Sequence, residues 1–99
     1  MTRYSIHPAA VDEIDAIVAT ITLDSPAVAY RWLLGLKERL LTLAAMPRMG
    51  RVRDDLLPGV HMFSYGNYLI FYSITDAAIE ILHVIHGARD IKNLTQNES

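Results

Sequence analysis

The stretch YLIFYSITDAAIEILHVIHGARD, residues 68–90, decides the fold. Residues 68–75 are dense in aromatic and β-branched side chains, and residues 79–86 are again rich in isoleucine and valine. The short Asp76-Ala77-Ala78 link between them suits a tight antiparallel hairpin. In a strand successive side chains point to opposite faces, so Leu69 and Phe71 share one face. Tyr68, Ile70, Tyr72 and Ile74 share the other. A strand that is apolar on both faces belongs between layers, not at a wet edge. The second strand runs into a polar tip, His86-Gly87-Ala88-Arg89-Asp90. A rigid sheet that delivers such a tip is a common way to present a working surface.

Working outward, Gly66-Asn67 reads as a tight turn joining this run to a strand over residues 60–65. Residues 48–59 carry charge together with Gly50, Pro58 and Gly59, and read as a loop. Upstream, Val11, Ile14, Ile17, Val18 and Ile21 recur at helical spacing and predict a first helix over residues 8–21. Pro8 suits its first turn, where a missing N–H costs nothing. Thr22-Leu23-Asp24 reads as a short connection. Ser25 and Pro26 then supply an N-cap and first residue for a second helix over residues 26–45. Ala29, Leu33, Leu36, Leu40 and Leu43 form its apolar stripe, which Trp32 and Leu41 widen. Arg31, Glu38 and Thr42 lie on the far side. Met46-Pro47 ends it. Tyr4-Ser5-Ile6 alternates as a first strand, and residues 91–99 are expected to fray.

The order β-α-α-β-β-β predicts one α+β domain over residues 1–99: an antiparallel sheet with an N-terminal helical hairpin on one face. The place of the first strand in the sheet does not follow from the sequence.

Composition bounds the function. With 99 residues and 52% hydrophobic content, a single small domain carries more apolar surface than its core needs, which favours a covering partner. There is no cysteine, so no disulfide framework and no thiolate metal site. His7 and Pro8 interrupt any signal-peptide-like run, and no apolar stretch reaches the ~20 residues that span a bilayer. A cytoplasmic protein without membrane attachment is the expectation. The net charge of −2 offers no global attraction for nucleic acid. Five of the nine basic residues, Arg48, Arg51, Arg53, Arg89 and Lys92, nonetheless lie after residue 47. Asp12, Glu13, Asp15 and Asp24 sit on the first helix and its exit.

Among the four histidines, His83 and His86 are three apart on one strand and point to opposite faces, which argues against a shared metal. No cofactor motif and no metal ligand set are present. Arg51, Arg53 and Arg89 carry planar guanidinium forks suited to phosphate or carboxylate, and would converge if the loop and last strand met at one end of the sheet. The local alternative pairs Arg53 or Arg89 with Asp54, Asp55 or Asp90.

Three motifs in order, Leu43-x-x-x-Pro47-x-x-Gly50-x-x-Arg53, Tyr68-x-Ile70-x-Tyr72 and Val84-x-His86-Gly87-x-Arg89-Asp90, resemble the ParE branch of the RelE/ParE toxin superfamily, the plasmid stabilisation family. The likeness runs from Tyr4 to Asp90. One departure is Ala88, where many relatives carry arginine. The resemblance implies a toxin that inhibits DNA gyrase by binding, without catalysis and without a cofactor. It also implies a hetero-oligomer with a small antitoxin that has an N-terminal DNA-binding domain. Arg51, Arg53, His86, Arg89 and Asp90 are then the expected target-binding residues, and Trp32, Leu36 and Leu40 the expected antitoxin contacts. The alternative on the same fold is a RelE-like ribosome-dependent mRNA endonuclease. Its catalytic set would be His86, Arg51, Arg53 and Arg89, supplying acid–base groups and cations for the phosphorane.

Overall fold

The structure, a computed structural model, describes residues 3–76 and 78–87. Its elements run β1 (Tyr4–Ile6), α1 (Pro8–Asp24), α2 (Pro26–Ala45), a 3-10 turn (Pro47–Met49), β2 (Arg51–Val52), β3 (His61–Tyr65), β4 (Tyr68–Ile74) and β5 (Ile79–His86). The chain is an α+β fold in which the helical hairpin covers one face of the sheet.

Helix α1 runs three residues past the expected end. Thr22, read as part of a connection, stays helical, and its hydroxyl donates to the Val18 carbonyl at 2.7 Å. The connection shrinks to Ser25 alone. Its side chain accepts from the Val28 N–H at 3.2 Å and caps α2, while its own N–H closes α1 on the Ile21 carbonyl at 2.9 Å. At the other end His7 caps α1, its Nδ1 accepting from the Ala9 N–H at 3.1 Å.

The sheet order is β1-β5-β4-β3-β2. Strands β2 to β5 are antiparallel to their neighbours, with Tyr65 opposite Tyr68 across the Gly66-Asn67 turn. Gly66 has φ +59°, the left-handed region that this turn needs and that glycine reaches freely. The first strand, left open by the sequence, lies at the outer edge and runs parallel to β5, so the sheet is mixed. A parallel neighbour is possible because α1 and α2 intervene as a crossover.

The two apolar faces of β4 each find a cover. On the helix side Ile70 and Tyr72 pack with Ala10, Ile14, Leu36, Leu40, Leu43 and residues of β5. On the opposite side Phe71 and Ile85 pack with Leu56 and Val60. The loop after the helices is therefore a lid on the second face, not a free excursion. It is held by the Arg53 N–H on the Val60 carbonyl at 2.9 Å and by the Gly59 N–H on Asp54 Oδ1 at 2.8 Å. Within it Arg51 and Val52 add a short edge strand that the sequence reading left as loop.

Tyr72 ties helix exit to sheet. Its buried hydroxyl donates to the Pro47 carbonyl at 2.7 Å and accepts from the Gly50 N–H at 3.0 Å. A Cβ on Gly50 would run into that hydroxyl, which is why glycine follows the Pro47 turn. Burial pushes the Tyr72 phenol above its ordinary pKa, and the Gly50 N–H offsets this only in part.

Each open stretch of sheet edge is covered by a charged side chain from the hairpin. Strand β1 reaches only Ile81 on β5. Beyond it Glu13 of α1 accepts from the Val84 N–H at 3.0 Å and faces His83 Nδ1 at 3.0 Å. At the other side β2 pairs only with His61 and Met62. Beyond it Arg39 of α2 donates to the Ser64 carbonyl at 3.5 Å and lies over the Phe63 and Tyr65 rings at 5.4 and 5.5 Å. An inward-reaching charge on an edge opposes pairing with a stray strand.

Candidate functional site

His86 ends β5 directly opposite Tyr68, the first residue of β4. The imidazole meets the Tyr68 ring edge-on, centroids 5.6 Å apart. Tyr68 in turn packs on Trp32 at 5.2 Å, and Trp32 on Tyr65 at 5.6 Å. The Tyr65 hydroxyl donates to the Trp32 carbonyl at 2.7 Å, and burial raises its pKa. The tip is thus the end of an aromatic row anchored on α2. The Gly87 N–H closes it on the Asn67 carbonyl at 2.9 Å. Tyr65 and Tyr68 looked like plain core tyrosines in the sequence. Their place beside His86 depends on register, which no single strand reveals.

The loop arginines lie elsewhere. Arg51 is opposite Met62, which is opposite Phe71, which is opposite His83. Three strand spacings separate Arg51 from β5, about 14 Å, and His86 is three residues further along, about 10 Å, so the backbones are about 17 Å apart. Arg53 is farther still, opposite Val60. Its guanidinium forms a two-pronged pair with Asp55, both bonds 2.9 Å, and also reaches the Met62 sulfur at 3.5 Å. The Asp55 hydrogen bond raises the Arg53 pKa, and the Arg53 hydrogen bond lowers that of Asp55. The expected convergence of Arg51 and Arg53 with His86 is therefore not formed, because β3 and β4 separate them. Arg89 and Asp90 lie outside the described residues.

Two expected antitoxin contacts are also corrected. Leu36 and Leu40 are 1% and 2% exposed, packed in the core under α1. Helical spacing marks a stripe as apolar but does not say whether that stripe faces core or partner. Both reach only the floor of a groove of about 380 Å³ between the hairpin and β1, whose rim carries Val11, Leu33, Leu34 and Lys37. Trp32 is half-buried in the aromatic row. Leu41, expected to widen the buried stripe, is exposed.

His83 and His86 take opposite directions, one to Glu13 at the sheet edge and one to Tyr68. Among the described residues no three histidine or carboxylate side chains gather as a metal site. No helix among them is long and apolar enough to cross a membrane.

Comparison with known proteins decides the family. The pattern described as "ParE toxin of type II toxin-antitoxin system, parDE" matches residues 4–91. The chain belongs to the ParE toxin family. It is 32% identical over 93 residues to Toxin ParE1 of Mycobacterium tuberculosis, covering 91% of this chain and 94% of that one. Toxin ParE3 of Caulobacter vibrioides is 35% identical over 49 residues, half of each chain. A solved structure, the chromosomal ParDE TA system from P. aeruginosa, superposes with a TM-score of 0.73 at 21% identity, covering 87% of this chain and 96% of that one. That likeness shows a ParE fold. The protein is thus a ParE-type toxin of a type II toxin–antitoxin system, and the tip and groove described above belong to that ParE fold.

Proposed function

We propose that this ParE-type toxin acts by binding DNA gyrase without cleaving a nucleic acid, and that an antitoxin made alongside it holds it inactive. Family membership over residues 4–91 carries the reading. The geometry supports binding over RNA cleavage. A nuclease needs an acid–base group within hydrogen-bond reach of the ribose and cations around the same phosphate. Arg51 and Arg53 stand about 17 Å or more from His86, and Arg53 is already committed to Asp55. The target-binding surface we infer is the tip, His86 with Arg89 and Asp90, and Arg51 forms a separate exposed cation on the edge strand. The antitoxin is inferred to cover the apolar groove rimmed by Leu33 and Leu34, with Trp32 at its end, in a cytoplasmic hetero-oligomer. Amphipathic helices generally bind such grooves by their apolar face.

The deciding experiment pairs two assays on the purified chain: supercoiling by gyrase, and transcript cleavage on translating ribosomes. Inhibition of supercoiling without cleavage is expected, and it should be relieved by the product of the adjacent gene. His86→Gln should leave growth inhibition largely intact, since one contact at an interface rim usually costs little. Loss of an acid–base group would lower a cleavage rate by about 10²–10⁴. Ribosomal cleavage by the parent chain, lost in a folded His86→Gln variant, would establish the nuclease instead.

A further inference from the structure

Helix α2 carries a second apolar stripe that the core leaves uncovered. Tyr30, Leu34, Lys37 and Leu41 follow steps of four, three and four, so they lie within one narrow face of the helix. Tyr30 is 65%, Leu34 44% and Leu41 41% exposed, and Lys37 is exposed as well. The core stripe on the same helix, through Leu36 and Leu40, is a different face. A scattered apolar residue on a surface needs no explanation, but a regular seam on one helix face has the form of a helix–helix contact.

The seam is also symmetric about its own centre. A two-fold axis between Gly35 and Leu36 places Tyr30 opposite Leu41 and Leu34 opposite Lys37, each pair occurring twice. Such self-complementarity is what an isologous dimer requires. The charges agree. Lys37 and Glu38 are exposed, and neither is ion-paired among the described residues. In the antiparallel arrangement Lys37 of one copy and Glu38 of the other are offset by about 6 Å along the axis, within reach of two long side chains. The Lys37 stem meanwhile covers Leu34. The area is modest. Tyr30 to Leu41 spans about 17 Å of helix. One helix pair flanked by Val11 stays at the small end of specific interfaces, below about 1,200 Å².

We propose that a second copy of this chain docks antiparallel on the α2 seam, giving a weak, concentration-dependent two-fold dimer through Tyr30, Leu34, Lys37 and Leu41. The proposal does not depend on the gyrase reading. Sedimentation velocity of the purified chain over a dilution series tests it. The parent chain should move from dimer to monomer on dilution. Leu34→Asp should stay monomeric throughout, with an unchanged thermal melt because the site is on the surface. Lys37→Glu should weaken the dimer by about tenfold, since two symmetric pairs become repulsive. Adding Glu38→Lys to that variant should restore the parent affinity, which a merely structural role for Lys37 would not predict. A parent chain that is monomeric at every concentration overturns the proposal. So does a dimer unmoved by Leu34→Asp, or a folded double variant that fails to recover.

Discussion

Replacing Tyr72 by phenylalanine removes one oxygen atom and tests how the helix exit is tied to the sheet. The ring is retained, so the packing with Ile70 and Leu43 is unchanged. What is lost is the donor to the Pro47 carbonyl and the acceptor for the Gly50 N–H. A typical hydrogen bond contributes about 0.5–1.5 kcal/mol net, and a buried group left without a partner costs about 1–3 kcal/mol. The Gly50 bond is only partly buried, so water can reach part of the site and the lower half of that range applies. The sum is about 2 kcal/mol. A chain of this length holds roughly 5–15 kcal/mol in total. At about 4–8 °C per kcal/mol for a domain of this size, the melting temperature should fall by roughly 8–16 °C. Urea unfolding followed by circular dichroism measures it directly, and the slope with denaturant should be unchanged because the exposed surface hardly differs. Tyr68→Phe is the internal control. Its hydroxyl has no hydrogen bond among the described residues, so that variant should match the parent. Equal stability of the Tyr72→Phe and Tyr68→Phe variants would refute the reasoning.

Leu40→Asp should abolish the cooperative melt, because it places an unpaired carboxylate against Ile14 and Tyr72 at a cost of several kcal/mol, comparable to the whole stability. Glu13→Ala should cost about 1–2 kcal/mol by freeing the Val84 N–H, and should raise the aggregation rate seen by light scattering, since it bares the β5 edge. Alkaline pH should destabilise the fold through Tyr65 and Tyr72. Both phenols are raised in the folded state by burial, so their contribution is complete below the unfolded value of about 10 and is lost as pH rises through the folded values. Stability measured across that window should fall less steeply in Tyr72→Phe.

How the chain divides between readable and hidden follows from the range of the forces involved. Periodicity, Ser25-Pro26, Met46-Pro47 and Gly66-Asn67 are local, and they fix the two helices and the β3-β4-β5 meander from the sequence alone. The paired faces of residues 68–74 likewise required that two layers exist. What covered the second face was hidden, because Leu56 and Val60 sit in a loop that has no period to read. The parallel seat of β1 beside β5 was hidden because three residues carry too little pattern to choose a neighbour. In the candidate site the polar tip could be read as sequence, and so could the arginine motif. Their separation was decided by β3 and β4 lying between them. Leu36 and Leu40 share helical spacing with a surface seam on the same helix. Sequence determines that α2 is apolar on more than one side. Only the packing of α1 and the sheet decides which side is core and which is left for a partner.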